Sequence, residues 1–246
     1  MKANSTRIIL VAIIALWNIL SASAISFTYM YKGQTLRYYT EAYAPYQLYV
    51  KAVDTSLSGE VEIPERIHYN RTEYAVVYIS DAAFRDCSGM TSISIPNSIH
   101  EIGKSAFWNC SGLTSLTIPN SVSEIEQDAF YNCSGLTELT IGNSVSYIGS
   151  NAFNGCSELP ILSIPGSVRH IVENPFLNCN KLIQIKVDDE NPKFTSIDGI
   201  VYDKDVSTLL FCPGGKEEIS IPESVTTLAM YSLCGCSKLT SLTFRS

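Results

Sequence analysis

Histidine is scarce in this chain of 246 residues, which holds only His68, His100 and His170. A nucleophile needs a base and an orienting group within hydrogen-bond distance, and three scattered imidazoles give no such focus. A Gly-rich phosphate loop is also missing, the glycines falling mostly in Ser-Gly turns. Cys234-Gly235-Cys236 has no companion Cys or His pair at ligand spacing and is a weak metal motif. Basic residues are few, 17 Lys and Arg against 24 Asp and Glu. That balance argues against nucleic acid or anionic membrane as the main partner. No catalytic residue, cofactor or metal is therefore expected, and the chain is expected not to be an enzyme.

A membrane-spanning run is lacking as well. The apolar stretch from Ile8 to Leu20 is interrupted by Asn18 and is shorter than the roughly 20 residues a helix needs to cross a bilayer. Lys2 and Arg7 precede it and Ala22-Ser23-Ala24 follows. This reads as a signal peptide over 1–24, cleaved after Ala24, in preference to an uncleaved anchor. Residue 25 is Ile, so no Cys is placed for lipidation. Without residues 1–24, 15 basic residues face 24 acidic ones, a net charge of −9. The product is expected to be exported, at the cell surface or outside it, and not integral to a membrane.

What the chain has is a period. Phe84, Phe107, Phe130, Phe153 and Phe176 recur every 23 residues, and Cys87, Cys110, Cys133, Cys156 and Cys179 keep the same step. So do the triplets Ile93-Ser94-Ile95, Leu116-Thr117-Ile118, Leu139-Thr140-Ile141, Leu162-Ser163-Ile164 and Ile185-Lys186-Val187. A period this strict identifies a solenoid whose coils bury their apolar faces only against one another. In the unit from Phe107 to Phe130, Ala106, Phe107 and Cys110 suit one inward-facing helical turn, while Leu116 and Ile118 alternate with polar neighbours as a half-buried strand does. Pro119 ends the strand because it has no N–H for the ladder. Val122 and Ile125 supply a second inward segment. The fold class expected is a β-rich solenoid of the α/β leucine-rich repeat class, each 23-residue coil carrying a short strand, a turn and a short helical turn.

Two regions follow after the signal segment. Residues 25–80 lack the period and hold ten of the fourteen tyrosines, between Tyr29 and Tyr78. A solenoid needs an atypical end unit over its first coil, so this stretch reads as an N-terminal β-rich cap, with a tyrosine-rich ligand platform as the competing view. Residues 81–246 form the solenoid, with an irregular hairpin insertion at about 188–216 in which Val201-Tyr202 pairs with Leu209-Leu210-Phe211. The last coil, ending in Leu239, Leu242 and Phe244, is expected to be incompletely covered.

The consensus A-F-x-x-C-x-x-L-x-x-L-x-I-P-x-S-V-x-x-I resembles the BspA-like leucine-rich repeat class of bacterial surface proteins, over about residues 59 to 246. The departures are mild: Pro175 for Ala, Gly142 for Pro and Leu233 for Phe. The resemblance implies adhesion at a bacterial surface to host matrix proteins, host cells or other bacteria.

Eight cysteines in an exported chain would ordinarily suggest disulfides. Coils stack about 4.8 Å apart, which leaves parallel Cβ vectors further apart than the roughly 3.8 Å a bridge prefers. The five periodic thiols therefore read as inert core fillers. Cys236 holds the ladder position, so Cys212 and Cys234 are the two free to pair or to stay exposed.

Two stripes remain as candidate sites. The outward strand position carries Ser94, Thr117, Thr140, Ser163 and Lys186, continued by Ser220 and Thr243. It is either a solvated β-face or an extended polar contact stripe. The position after each Phe brings Trp108 and Tyr131 together, either as packing or as an anchor for a sugar or a protein. The function expected is a non-enzymatic exported recognition module for a protein partner, a host matrix or cell-surface protein. A glycan-binding component of nutrient capture and a structural spacer stand as alternatives. Oligomeric state is left open.

Overall fold

The computed structural model describes residues 24–245, so the expected signal peptide lies outside the described residues except for Ala24. The chain is a β-solenoid of about seven stacked turns of about 23 residues each. Each coil has three sides. In the coil after Phe107, the strand side carries Leu113, Leu116 and Ile118 inward, the second side Val122 and Ile125, and the turn side Ala129 and Phe130, all of them buried. The strand side is built from β-strands that alternate with two-residue strands on the second side.

The region expected as the cap holds β1 (Ser26–Tyr31), β2 (Gln34–Glu41), β3 (Ala44–Ala52), β4 (Ser58–Glu62), β5 (Arg66–Tyr69) and β6 (Thr72–Ile79). The coils contribute β7 (Gly89–Ser94), β8 (Glu101–Ile102), β9 (Ser115–Thr117), β10 (Glu124–Ile125), β11 (Glu138–Thr140), β12 (Tyr147–Ile148), β13 (Ile161–Ile164), β14 (His170–Ile171) and β15 (Gln184–Val187). After these come β16 (Phe194–Ile197), β17 (Ile200–Asp203), β18 (Thr208–Phe211), β19 (Glu218–Ile221), β20 (Thr227–Leu228) and β21 (Ser241–Phe244). The antiparallel β1–β2–β3 meander joins β6 in parallel, and β6 leads through β8, β10 and β12 to β14, one continuous nine-stranded sheet that also includes β5. On the strand side β4 pairs with β7. The tyrosine-rich segment thus extends both sheets of the coils and covers their first apolar layer with Leu36, Tyr38, Leu48 and Val50.

The turn side differs from expectation. No described residue is in a helix. Phe84 N donates to Ala106 O and Asp86 N to Trp108 O, both at 2.7 Å, and Phe107 and Asn109 do the same toward Ala129 and Tyr131. Alternate N–H groups are thus spent on the next coil, whereas a helix spends them on its own chain four residues back. Positive φ at Asp86, Asn109 and Asn132 (61°, 57° and 56°) breaks any helical run. What remains of the helical turn is the tight bond from Cys110 N to Phe107 O.

Equivalent side chains stack on themselves. The rings of Phe84, Phe107, Phe130, Phe153 and Phe176 lie 5.2, 5.0, 5.4 and 6.0 Å apart, within 12° of parallel, and Phe211 closes the stack edge-on at 5.9 Å. From Cys110 to Cys179 each thiol of the column donates to the Phe carbonyl of the preceding coil, Cys110 Sγ to Phe84 O at 3.0 Å, Cys133 to Phe107 at 3.2 Å, Cys156 to Phe130 at 3.5 Å and Cys179 to Phe153 at 3.2 Å. All eight cysteines are free. Burial pushes the Cys133 and Cys179 thiols up to about 12. The Ser-Gly turns are glycine for want of room, since a Cβ at Gly112 or Gly135 would sit 2.3 Å from Ser88 O or Ser111 O one coil back.

One ladder is interrupted. Thr114 N donates to Thr91 O and Thr137 N to Thr114 O, but the next equivalent is Pro160, which has no N–H. The strand side accordingly splits into β4–β7–β9–β11 and β13–β15. Beyond it, β16 and β17 form a hairpin around Asp198-Gly199, with φ of 51° and 78° as a type I′ turn requires. Val201 and Tyr202 pair with Phe211 and Leu209. Buried Asn191 ties this segment to the coil before it, donating to Pro165 O and Val168 O and accepting from Lys193 N and Phe194 N. In the last described coil Leu228, Met230, Leu242 and Phe244 are exposed.

Cys133→Ala is expected to lower stability by about 1–2 kcal/mol in urea unfolding, as a small cavity with one lost weak hydrogen bond. In the native state a thiol reagent is expected to modify exposed Cys234 promptly and the column Cys87 to Cys179 only on unfolding. At Asn132, whose φ is 56°, Ala is expected to cost about 1 kcal/mol more than Gly in the same assay, because both lose the side-chain bond and only Ala strains the backbone.

Candidate functional site

Ser94, Thr117, Thr140, Ser163 and Lys186 all project outward and exposed from the strand side. The register puts Thr117 beside Thr140 and Ser163 beside Lys186, with the Pro160 break between the two pairs. Some hydroxyls of the coils are used internally: Thr137 Oγ1 donates to Thr114 O and Ser146 Oγ to Ser123 O. Among the described residues, those of Ser94, Thr117, Thr140 and Ser163 make no hydrogen bond within the chain. They line two shallow grooves. One, of about 560 Å³, lies over Ser94 and Thr117, with Lys32 and Glu62 of the cap at its edge, themselves ion-paired. The other, of about 400 Å³, lies over Thr140, Ser163 and Lys186 and reaches Asp188.

Trp108 and Tyr131 are brought together as neighbours, ring centroids 4.0 Å apart and planes within 12°. Arg85 lies over the other face of the column, its Cζ 5.0 Å from the Trp108 centroid. Both rings are half-buried. Stacked between Arg85 and Tyr131, Trp108 keeps its edge for a ligand and not a face, so the pair is unlike the open platform a sugar ring stacks upon. The column continues into Asn154, which is buried, and half-buried Leu177.

Three features lie beyond the sequence reading. The second residue after each Phe forms a ladder, Asn132 Nδ2 to Asn109 Oδ1 at 2.8 Å and Asn109 Nδ2 to Asp86 Oδ1 at 2.9 Å. Where Gly155 lacks a side chain, Asn178 donates instead to Asn154 Oδ1 at 3.0 Å. The signal was present, since Asp, Asn and Gly are the residues that accept the left-handed region. Second, Cys236 and not Cys234 meets Cys212: its Sγ lies 3.6 Å from Cys212 O, and a hydrogen bond with Cys236 together with burial pushes the Cys212 thiol up. Third, tyrosines and glutamates share a row on the second side. No group of three or more His, Cys, Asp or Glu able to hold a metal ion occurs among the described residues.

The sequence matches the family described as BspA type leucine rich repeat region, in six copies over residues 77–203 and 204–246. No curated protein matches it. Similar solved structures include the pneumococcal vaccine antigen PcpA, with 23% identity and a TM-score of 0.67 over 89% of this chain and 65% of that one. A leucine-rich repeat protein of T. pallidum has 22% identity and a TM-score of 0.56 over 81% of this chain and 75% of its own. A leucine-rich cell surface protein from Faecalibacterium prausnitzii has 19% and 0.53 over 89% and 76%. This chain spans less than two thirds of the pneumococcal one. At these identities the likeness is one of fold.

Because Trp108 and Tyr131 stack upon each other, Trp108→Ala and Tyr131→Ala are expected to be non-additive in urea unfolding. The double variant should lose less than the sum of the single losses, by about 0.5–1.5 kcal/mol. Strict additivity would show that the two rings do not support each other.

Proposed function

The chain belongs to the BspA-type leucine-rich repeat family, and we propose that it is an exported, non-enzymatic recognition module that binds a protein partner at a bacterial surface through its strand side. The observation that carries this reading is the row Ser94, Thr117, Thr140 and Ser163, whose hydroxyls are exposed and without partners within the described chain, extended by Lys186. Thr114, Ser123, Thr137 and Ser146 spend their hydroxyls on inter-coil carbonyls, whereas this row has bonds to give. The grooves above it are open to solvent and not enclosed cavities, a shape that suits an extended macromolecular surface better than an enclosed small molecule. Leucine-rich repeat proteins are generally interaction scaffolds, and the surface-protein character of structural neighbours supports the same class. By the family resemblance the partner is a host matrix or cell-surface protein. Glycan binding is the second reading. It draws on the hydroxyl row and on Trp108 with Tyr131, whose mutual stacking weakens it.

Immobilised matrix proteins and a glycan array, probed in parallel with this chain and with the variant Thr117→Glu/Thr140→Glu/Lys186→Glu, test the reading. Binding to a protein surface that falls at least about tenfold in the variant, with an unchanged melting temperature, is the expected result. Saturable binding to glycans alone would replace the protein partner by a sugar. Protein binding that the triple variant leaves unaltered would move the contact off the strand side.

A further inference from the structure

On the second side of the solenoid one row of outward side chains crosses the cap and the first coils. Tyr39 faces Tyr49, Tyr49 faces Tyr78, Tyr78 faces Glu101 and Glu101 faces Glu124, on β2, β3, β6, β8 and β10. The three rings stack at 5.2 and 4.7 Å, within 20° of parallel. At the Tyr39 end the protein sets its own cation on the stack, Lys51 Nζ lying 5.7 Å from the ring centroid. At the Tyr78 end it sets carboxylates. A cavity of about 390 Å³ opens over this row, lined by Tyr39, Tyr49, Tyr78, Glu41, Asp81 and Glu101, and Tyr43 at its rim holds its hydroxyl 3.3 Å from that of Tyr49.

The charge here is one-sided. Among the described residues, no Lys, Arg or His comes within ion-pair distance of Glu41, Asp81, Glu101, Glu124 or Glu126. Burial pushes the Glu101 carboxyl up, helped by Glu126, Glu124 and Asp81, with Lys104 opposing them. Asp81 accepts a bond from Lys104 N at 2.8 Å, which satisfies one oxygen without neutralising it. The face that Tyr78 turns toward Glu101 is the one in the stack that neither a ring nor Lys51 covers; being electron-rich, it attracts the same class of guest as the unpaired carboxylates beside it. A small hydrated metal ion is the poorer match, because the described residues offer no cluster of three ligands and the rings offer no lone pairs. A weakly hydrated cation attached to carbon meets both halves of the site, and the volume suits one basic side chain.

We propose that this tyrosine and carboxylate cavity binds an organic cation, an ammonium or guanidinium group. The group belongs either to a lysine or arginine of a partner protein or to a free alkylammonium compound. The site lies on the second side of the coils, apart from the hydroxyl row of the strand side, and stands or falls independently of it.

The test is a titration at low ionic strength followed by NMR of the tyrosine rings. The probes are Nα-acetyl-lysine methylamide, its arginine counterpart, tetramethylammonium chloride, and the neutral Nα-acetyl-norleucine methylamide. At least one cation is expected to shift the rings saturably while norleucine leaves them in place. Glu101→Gln, which keeps size and shape, should weaken that binding about tenfold, and Tyr78→Phe should retain it. Response to the lysine or arginine probe alone assigns a partner's side chain, and response to tetramethylammonium alone assigns a small ammonium ligand. No saturable shift with any cation, an equal shift with norleucine, or full affinity in folded Glu101→Gln overturns the proposal. The variant Thr117→Glu/Thr140→Glu/Lys186→Glu should bind the cations as the unaltered chain does.

Discussion

Everything in this molecule depends on the backbone of each coil being satisfied by the coils above and below it. On the strand side, the second side and the turn side alike, N–H groups donate to carbonyls 22 to 24 positions away, as Thr137 N does to Thr114 O, Ser146 N to Ser123 O and Phe107 N to Ala129 O. Once that is required, every residue stands next to its own equivalent. Phenylalanine must then tolerate phenylalanine at about 5 Å, a thiol must find the carbonyl beside it, and an asparagine must bond to an asparagine. The core follows from the ladders, and a coil has no separate core of its own.

The period made the architecture readable before any coordinates. The Phe and Cys columns, the strand triplets and the proline that ends most of the strands are a direct image of that vertical constraint, because a residue that must pair with itself recurs. Readability failed wherever a feature depends on two different positions. The turn side was expected to hold a helical turn from the spacing of Ala106, Phe107 and Cys110, yet that spacing says only that the residues point inward. Hydrogen bonding to the next coil and the left-handed residues Asn109 and Asn132 decided the conformation. The meeting of Cys212 with Cys236, and the closing of the phenylalanine stack by Phe211, likewise join the irregular insertion to a coil far along the chain.

The candidate surfaces show the same division. The hydroxyl row is strictly periodic, and so was visible in the sequence. The row from Tyr39 to Glu124 crosses from an aperiodic cap into a periodic array, and only the sheet register reveals that Tyr78 stands opposite Glu101. Cap and coils share that sheet, so the cap does more than cover an apolar end: it contributes half of a surface whose other half belongs to the repeats.

Pro160 has a further consequence. A linear array of coupled units opens at its weakest boundary, since each interface contributes its own nearest-neighbour energy. The boundary between β11 and β13 lacks the strand-side bond that its counterparts have, while the second side still joins β12 to β14 across it. The strand side is thereby the weak edge of that boundary, the second side and the turn side being bonded across it, and local opening there is expected to part Thr140 from Ser163 before it disturbs any buried layer.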